Sequence, residues 1–471
     1  MMQSGLIDDW RPKGGRLTVI RPSESARAAA IRAPIDATPP SFQQDAYLEM
    51  ARTAKRDGRR FDRLILCAFT LQGAPDIPAL VRALTIVVRR HDSFHSWFEI
   101  DSDLGVQRRV LAAEDIELVA DSWGEIDGPL VSRILQRVTP GPSSWDCFTF
   151  AIIDHGGTFT VVVASDHIAC DAVSGGIISA ELTQLYFDPT ATERLASAPA
   201  GSYREYCEGE RSRAAELEAR SPQIVAWADH IEANGGRLPS FPLPLRDPDT
   251  RDTAAASGRW VLLSGALADR FEQECARAGV RLVAGIFAAA ALAEYEITGR
   301  TSYFNLSPKN TRSTAGERRS VGWYASLIPI AFDFDPAEGF LDVARRADDA
   351  FAAGRSLSAV SLHRVVELLE SREGFEVRRG WVAPMLSFLD LRKVPGAELF
   401  SAMDFSFFGS RGTSEEVYTW VQRTDDMIWM ASLFPDTEVA AGSMARYSGL
   451  LTRTMESIAR AGSPALSCDV A

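Results

Sequence analysis

The run Thr158-Phe159-Thr160-Val161-Val162-Val163-Ala164-Ser165 is β-branched and apolar almost throughout, and it stops at Asp166-His167. Such composition over so short a length predicts a buried strand. A second apolar run, Cys147 to Asp154, precedes it, and Asp154-His155-Gly156-Gly157 between the two supplies turn residues, so the pair is expected to form a hairpin. His155 then sits in a solvated turn. After the second strand come Asp166-His167-Ile168-Ala169-Cys170-Asp171-Ala172-Val173-Ser174-Gly175-Gly176, and from Ile177 to Phe187 the apolar residues take helical spacing. Polar residues in a strand-to-helix loop are held in place by the rigid elements on either side.

Strands and helices alternate along the rest of the chain, which predicts an α/β (α+β) fold. Helices are expected at Gln43 to Arg56 and Ile77 to Arg90, around a strand from Leu64 to Leu71, with another strand from Phe94 to Ile100. Pro189 to Ser202 is rich in Ala, Ser and Pro and reads as a connector, followed by helices at Tyr203 to Ala219 and Pro222 to Ala233. Leu238 to Thr253 reads as loop. Strands are then expected from Arg259, at Ser302 to Leu306, Ala325 to Asp333, Val382 to Leu389, Glu416 to Gln422 and Met427 to Leu433. Helices are expected from Ala266, through Leu292, at Phe340 to Phe351, Ser361 to Glu370 and Glu438 to Ala461.

At 471 residues the chain exceeds one ordinary core, so two domains are expected, 1–200 and 201–471. A formal charge of −13 argues against non-specific nucleic-acid binding, which requires a basic surface. The pairs Arg89-Arg90, Arg318-Arg319 and Arg378-Arg379 could meet a phosphopantetheine or an acidic carrier protein, although solvated helix ends explain them as well. Met1 to Arg16 lacks the apolar core of a signal peptide, and the apolar stretch Leu282 to Ala293 falls short of the roughly twenty residues that span a bilayer. No transmembrane segment is therefore expected. The six cysteines (Cys67, Cys147, Cys170, Cys207, Cys275, Cys468) form no CxxC pair, as suits a reducing cytoplasm, and the six histidines (His91, His95, His155, His167, His230, His363) suggest no metal cluster.

His167 and Asp171 carry the chemistry that can be read from the residues themselves. A neutral imidazole, with an ordinary pKa near 6.5, can take a proton from a hydroxyl. Asp171 could orient the ring or the loop, while Ser174-Gly175-Gly176 allow close approach of a substrate or helix terminus. A core histidine bonded to a nearby carboxylate would give the same spacing. Cys170 is too close to His167 on a tight loop to act as its nucleophile and reads as a small buried hydrophobe.

Five segments in order resemble the condensation-domain superfamily, which includes peptide condensation domains, chloramphenicol acetyltransferase and the polyketide-associated acyltransferases of actinobacteria. Asp166-His167-Ile168-Ala169-Cys170-Asp171-Ala172 is similar to the family's His-His-x-x-x-Asp-Gly centre. Pro40-Ser41-Phe42-Gln43-Gln44, Arg90-His91-Asp92-Ser93-Phe94-His95-Ser96-Trp97-Phe98, Tyr203-Arg204-Glu205-Tyr206 and Ser320-Val321-Gly322-Trp323-Tyr324-Ala325-Ser326-Leu327-Ile328-Pro329-Ile330 resemble its other segments. Ser307 to Arg312 and Val394-Pro395-Gly396-Ala397 look most like the polyketide-associated acyltransferases.

The resemblance implies two chloramphenicol-acetyltransferase-like lobes, a V-shaped pseudo-dimer with a tunnel between them. His167 would be the base, and Asp171 a structural residue paired with an arginine from the other lobe, for which Arg312 is the choice. Trp323, Tyr324, Ser174 and Gly175 would line the tunnel. No cofactor is held permanently. The donor would be acyl-CoA or a phosphopantetheinyl carrier protein, and the acceptor a small molecule, polyketide or glycolipid. Two departures stand out: Asp166 replaces the family's first histidine, and Ala172 replaces its glycine. Asp404-Phe405-Ser406-Phe407-Phe408-Gly409 echoes an Asp-Phe-Gly-Trp-Gly motif too loosely to place a functional residue. Three functions are open: an O-acyltransferase, a free-standing condensation enzyme forming an amide or ester between carrier-bound substrates, and a non-catalytic domain that recruits a partner.

Overall fold

The hairpin lies at the heart of a seven-stranded sheet. In spatial order its strands are Gln3–Leu6, Ser406–Gly409, Leu64–Gln72, Thr158–Asp166, Phe148–Asp154, Gly15–Pro22 and Leu118–Ile126. The first two run parallel and every other neighbouring pair is antiparallel. The structure, a computed structural model, describes residues 3–59, 61, 63–101, 105–247, 254–378, 381–393, 402–410 and 412–461. Cys468, Arg379 and Val394-Pro395-Gly396-Ala397 lie outside the described residues.

The apolar runs follow from the sheet's position between two cores. Side chains alternate across a strand. Ile65, Cys67, Phe69, Val161 and Val163 enter one core, whereas Leu64, Leu66, Ala68, Val162 and Ala164 enter the other. With both faces covered, neither central strand has a polar side. Helices Phe42–Arg56, Ile77–Arg90 and Ala172–Phe187 pack on the first face, and Gly128–Val138 on the second. Ala172–Phe187 lies so close to the sheet that a Cβ on Gly175 would sit 3.3 Å from Cys67 Sγ.

The chain divides into two compact units, and both are discontinuous. The first joins 1–215 to 311–325 and 395–412, and the second comprises 216–310, 326–394 and 413–471. A single cut at residue 200 therefore does not separate them. Helix Tyr203–Ala215 stays with the first unit because Asp92 caps it, Oδ1 accepting from Tyr203 N at 2.8 Å, and because Tyr203 is 1% exposed.

The second unit has a four-stranded sheet in the order Ala255–Ser264, Met427–Pro435, Tyr418–Arg423, Met385–Asp390. Helices Ala266–Ala278, Leu282–Thr298, Phe340–Ser356 and Glu438–Ala461 contribute to its core. Ala284 to Ala291 of the Ala-rich helix are buried, which accounts for its continuous apolar run. Among the described residues no single helix is long and apolar enough to cross a membrane.

Several elements differ from expectation. The helix expected from Ile177 begins at Ala172, because Asp171 and Ser174 form a capping box there. The Pro189 to Ser202 connector contains the helix Ala191–Ser197. Gly15–Pro22, Glu24–Ile31, Gly105–Val110, Leu118–Ile126 and Gly128–Val138 are regular elements that the pattern did not reveal. In Leu118–Ile126 only Leu118 is buried, so an edge strand carries no apolar alternation to detect.

Candidate active site

Strand Thr158–Asp166 delivers its last residue into a closed network. Asp166 N donates to Cys147 O at 2.8 Å, and His167 N to Arg63 O at 2.8 Å, extending the ladder one rung past the Leu64–Asp166 pair. The Asp166 carboxylate, fully buried, accepts Ile168 N at 3.0 Å on Oδ1 and Tyr47 Oη at 3.1 Å on Oδ2. Gln44 Nε2 donates to Ile168 O at 2.9 Å, while Gln44 also closes the capping box of its helix with Ser41. The Pro40 to Gln44 segment thus grips the loop. Asp166 satisfies an N–H that would otherwise be buried without a partner.

Asp171 is fixed from four directions. Its Oδ1 accepts Ser174 N at 2.9 Å and Ser174 Oγ at 2.8 Å, capping the helix. Arg312 Nη1 reaches Oδ2 at 2.7 Å and Nη2 reaches Oδ1 at 3.0 Å, a bidentate pair in which the residues are 9% and 8% exposed. Tyr324 N donates to Oδ2 at 3.1 Å. Arg312 also donates to Ser320 O and Gly322 O, and its guanidinium lies 4.4 Å from the Tyr324 ring centroid. Arg312 belongs to a segment of the same compact unit as Asp171. Gly322 admits no side chain: a Cβ there would sit 2.5 Å from the Tyr203 ring.

His167 is a half-buried residue whose ring lies beside that of Trp323, with centroids 4.1 Å apart and planes at 33°. Its Nδ1 is buried and has no hydrogen-bond partner. Burial pushes the imidazole pKa down to about 4, with Arg63 adding to the shift, while Asp171 and the backbone carbonyls of His167 and Cys170 oppose it. The ring is therefore neutral at neutral pH and keeps a lone pair for a proton. Asp171, committed to Arg312, Ser174 and Tyr324, holds the loop. Cys170 is 4% exposed and burial raises its thiol pKa well above the usual range, so it stays a protonated core residue.

Of the four residues expected to line a channel, only Trp323 is partly exposed. Tyr324 is 1% exposed, and Ser174 and Gly175 are also buried. Tyr324 packs against Tyr203 and Tyr206, and Ser174 Oγ is spent on Asp171 and Gly322. Ala172 is exposed.

The other motif residues also act as struts. His91 is fully buried, its Nδ1 accepting from Val321 N at 3.4 Å, which leaves Nε2 to donate to Glu181 at 2.9 Å. Arg90 shares Glu181 and reaches Leu195 O at 2.7 Å, and Arg89 donates to Ile116 O. Arg318 and Arg319 bond backbone carbonyls, and Arg378 pairs with Glu416 at 3.0 Å. His95 bonds the Val88 and Arg89 carbonyls, and His155 is held by Gly14 O and Thr160 rather than being free in solvent. Ser406–Gly409 of the loose Asp-Phe-Gly echo is a strand of the large sheet.

A histidine at a strand end, next to an aspartate paired with an arginine, is the arrangement these segments build. The condensation-domain family model matches residues 65–408. The chain belongs to the condensation-domain family. Among its relatives, acyltransferase PapA3 of Mycobacterium tuberculosis is 32% identical over 97% of both chains. Trehalose-2-sulfate acyltransferase PapA2 of Mycobacterium bovis is 33% identical over 94% of both. The solved structure of PapA2 acyl transferase superimposes with a TM-score of 0.87, at 30% identity over 98% of this chain and 100% of that one. A condensation domain of the polyketide synthase MokA shares the fold, with a TM-score of 0.71 at 16% identity over 92% and 99% of the two chains. This condensation-domain protein is an acyltransferase.

Sequence reasoning singled out His167, Asp171 and Arg312 but missed Tyr47, Arg63 and Glu181, which the structure places around the motif loop. Tyr47 and Glu181 lie on helices where nothing in spacing marks them. Arg63 could have been found by extending the antiparallel register of the two central strands.

Proposed function

We propose that this acyltransferase moves an acyl group from a coenzyme A or carrier-protein thioester to an acceptor hydroxyl, with His167 as general base. The neutral imidazole of half-buried His167, held against Trp323, is the observation that carries this reading. His167 takes the hydroxyl proton as the oxygen attacks the thioester carbonyl. The tetrahedral intermediate then collapses with cleavage of the C–S bond, and the imidazolium returns the proton to the departing sulfur. No acyl-enzyme forms.

PapA2 carries the name of a trehalose-2-sulfate acyltransferase, and PapA1 that of a 2'-acyl-2-O-sulfo-trehalose (hydroxy)phthioceranyltransferase. A sugar or glycolipid hydroxyl is accordingly the acceptor class proposed for this chain. The non-catalytic reading loses its support, because Asp166 serves the loop and Ala172 is exposed.

Incubation with acyl thioesters and a panel of alcohols and amines tests the proposal. Ester formation that is lost in His167→Ala is expected. Full activity in that variant overturns the mechanism, and a preference for amines overturns the acceptor class.

A further inference from the structure

Arg63 stands opposite His167 on the rung beyond the Leu64–Asp166 pair, with its carbonyl accepting His167 N at 2.8 Å. Residues directly opposite in an antiparallel pair share a face of the sheet, with Cβ atoms about 4.5–5.5 Å apart. The Arg63 side chain is thus directed to the side of the base. It is partly buried, and its guanidinium carbon lies 5.9 Å from the Phe61 ring centroid. Phe61 contacts Tyr47 at 4.9 Å, Tyr47 meets Trp323 edge-on at 5.6 Å, and Trp323 lies against His167.

What distinguishes Arg63 is its lack of a partner. Among the described residues no carboxylate pairs with it and no acceptor takes a hydrogen bond from its guanidinium, whereas Arg90, Arg108 and Arg312 of the same unit are each committed to several. A half-desolvated cation without an anion carries a cost that an incoming anion would relieve. Its planar fork of donors suits a sulfate, phosphate or carboxylate.

We infer that Arg63 recognises an anionic substituent, such as a sulfate or phosphate ester, on the acceptor whose hydroxyl His167 deprotonates. This rests on His167 being the base of the proposed reaction. The charge belongs to the acceptor because a thioester donor carries its phosphates many bonds from the reacting sulfur, beyond the pantetheine arm. Arg63 is then a specificity residue: it sets which acceptors bind, and the proton passes to His167 and never to Arg63.

Calorimetric titration of the full chain with a disaccharide, its monosulfate and its monophosphate tests the inference, with the Arg63→Met and Arg63→Lys variants alongside. The wild type is expected to bind an esterified sugar roughly ten- to a hundredfold more tightly than the unmodified one. Arg63→Met should lose that preference while keeping its affinity for the neutral sugar, and Arg63→Lys should regain part of it. An undiminished preference in Arg63→Met, or none in the wild type, overturns the proposal. So does a loss of acyl transfer in Arg63→Met that appears with acyl-CoA but disappears with an acyl N-acetylcysteamine thioester, since the anion would then be the donor's. Binding does not need the base. Activity retained in His167→Ala would therefore refute the role of His167 while leaving the binding preference of Arg63 intact.

Discussion

Asp171 and Arg312 are 141 residues apart in sequence, yet two hydrogen bonds of 2.7 and 3.0 Å join them in a pair that is almost fully buried. The carboxylate also caps a helix and accepts the backbone N–H of Tyr324, so one side chain ties three chain segments together.

Removing one charge from this pair strands the other. Arg312→Ala is expected to cost about 3–5 kcal/mol of stability in urea or thermal unfolding. Asp171→Asn should cost a similar amount, because it strands Arg312 and turns an amide NH2 toward a site that holds only donors. In the double variant the losses should be less than additive, since the second change removes a charge already without its partner.

The pH dependence of kcat/KM tests the base proposed here. With the His167 pKa at about 4, activity should be flat through neutral pH and fall only as pH approaches that value. Arg63 helps to depress this pKa, so Arg63→Met should move the acid limb upward. The linked stability has a definite sign. The unfolded chain takes up this proton near pH 6.5 and the folded chain near 4, so acidification between these values favours unfolding.

Glu294 gives the opposite sign in the second unit. Burial raises its pKa to about 8, although Tyr447 and Arg300 oppose the shift. The folded chain retains a proton that the unfolded chain loses near pH 4.5, so stability declines as pH rises from that value to about 8. Glu294→Gln should therefore match the wild type in thermal unfolding near pH 5 and exceed it near pH 9.

Tyr47 donates to Asp166 and accepts from Arg63 N, joining both strands that carry the site. Tyr47→Phe leaves those groups short of a partner and should cost about 1–3 kcal/mol in unfolding experiments. Because the loop is displaced while the ring's surroundings are kept, kcat should fall with little movement of the acid limb.

How much of this was legible follows from the interactions involved. Local chemistry wrote the hairpin, the helix Ile77–Arg90 and the motif loop into the sequence, because apolar period and turn residues are short-range signals. The edge strand Leu118–Ile126 was invisible for want of a buried face. Resemblance selected Arg312, which spacing alone could not. Tyr324 and Ser174 were expected beside substrate and instead brace Asp171, since a motif names neighbours without saying which way their side chains point. Arg63 carries no motif at all and emerges only from strand register.

The interleaving of the two units bears on synthesis. A ribosome has made the whole of Asp166 to Asp171 long before it reaches Arg312, and strand Ser406–Gly409 of the central sheet emerges later still. Until then Asp171 is a carboxylate awaiting its cation, and the unit that holds His167 cannot close as a contiguous N-terminal domain would. Fragments ending between residues 215 and 311 should contain every residue of the motif and yet fail to assemble it.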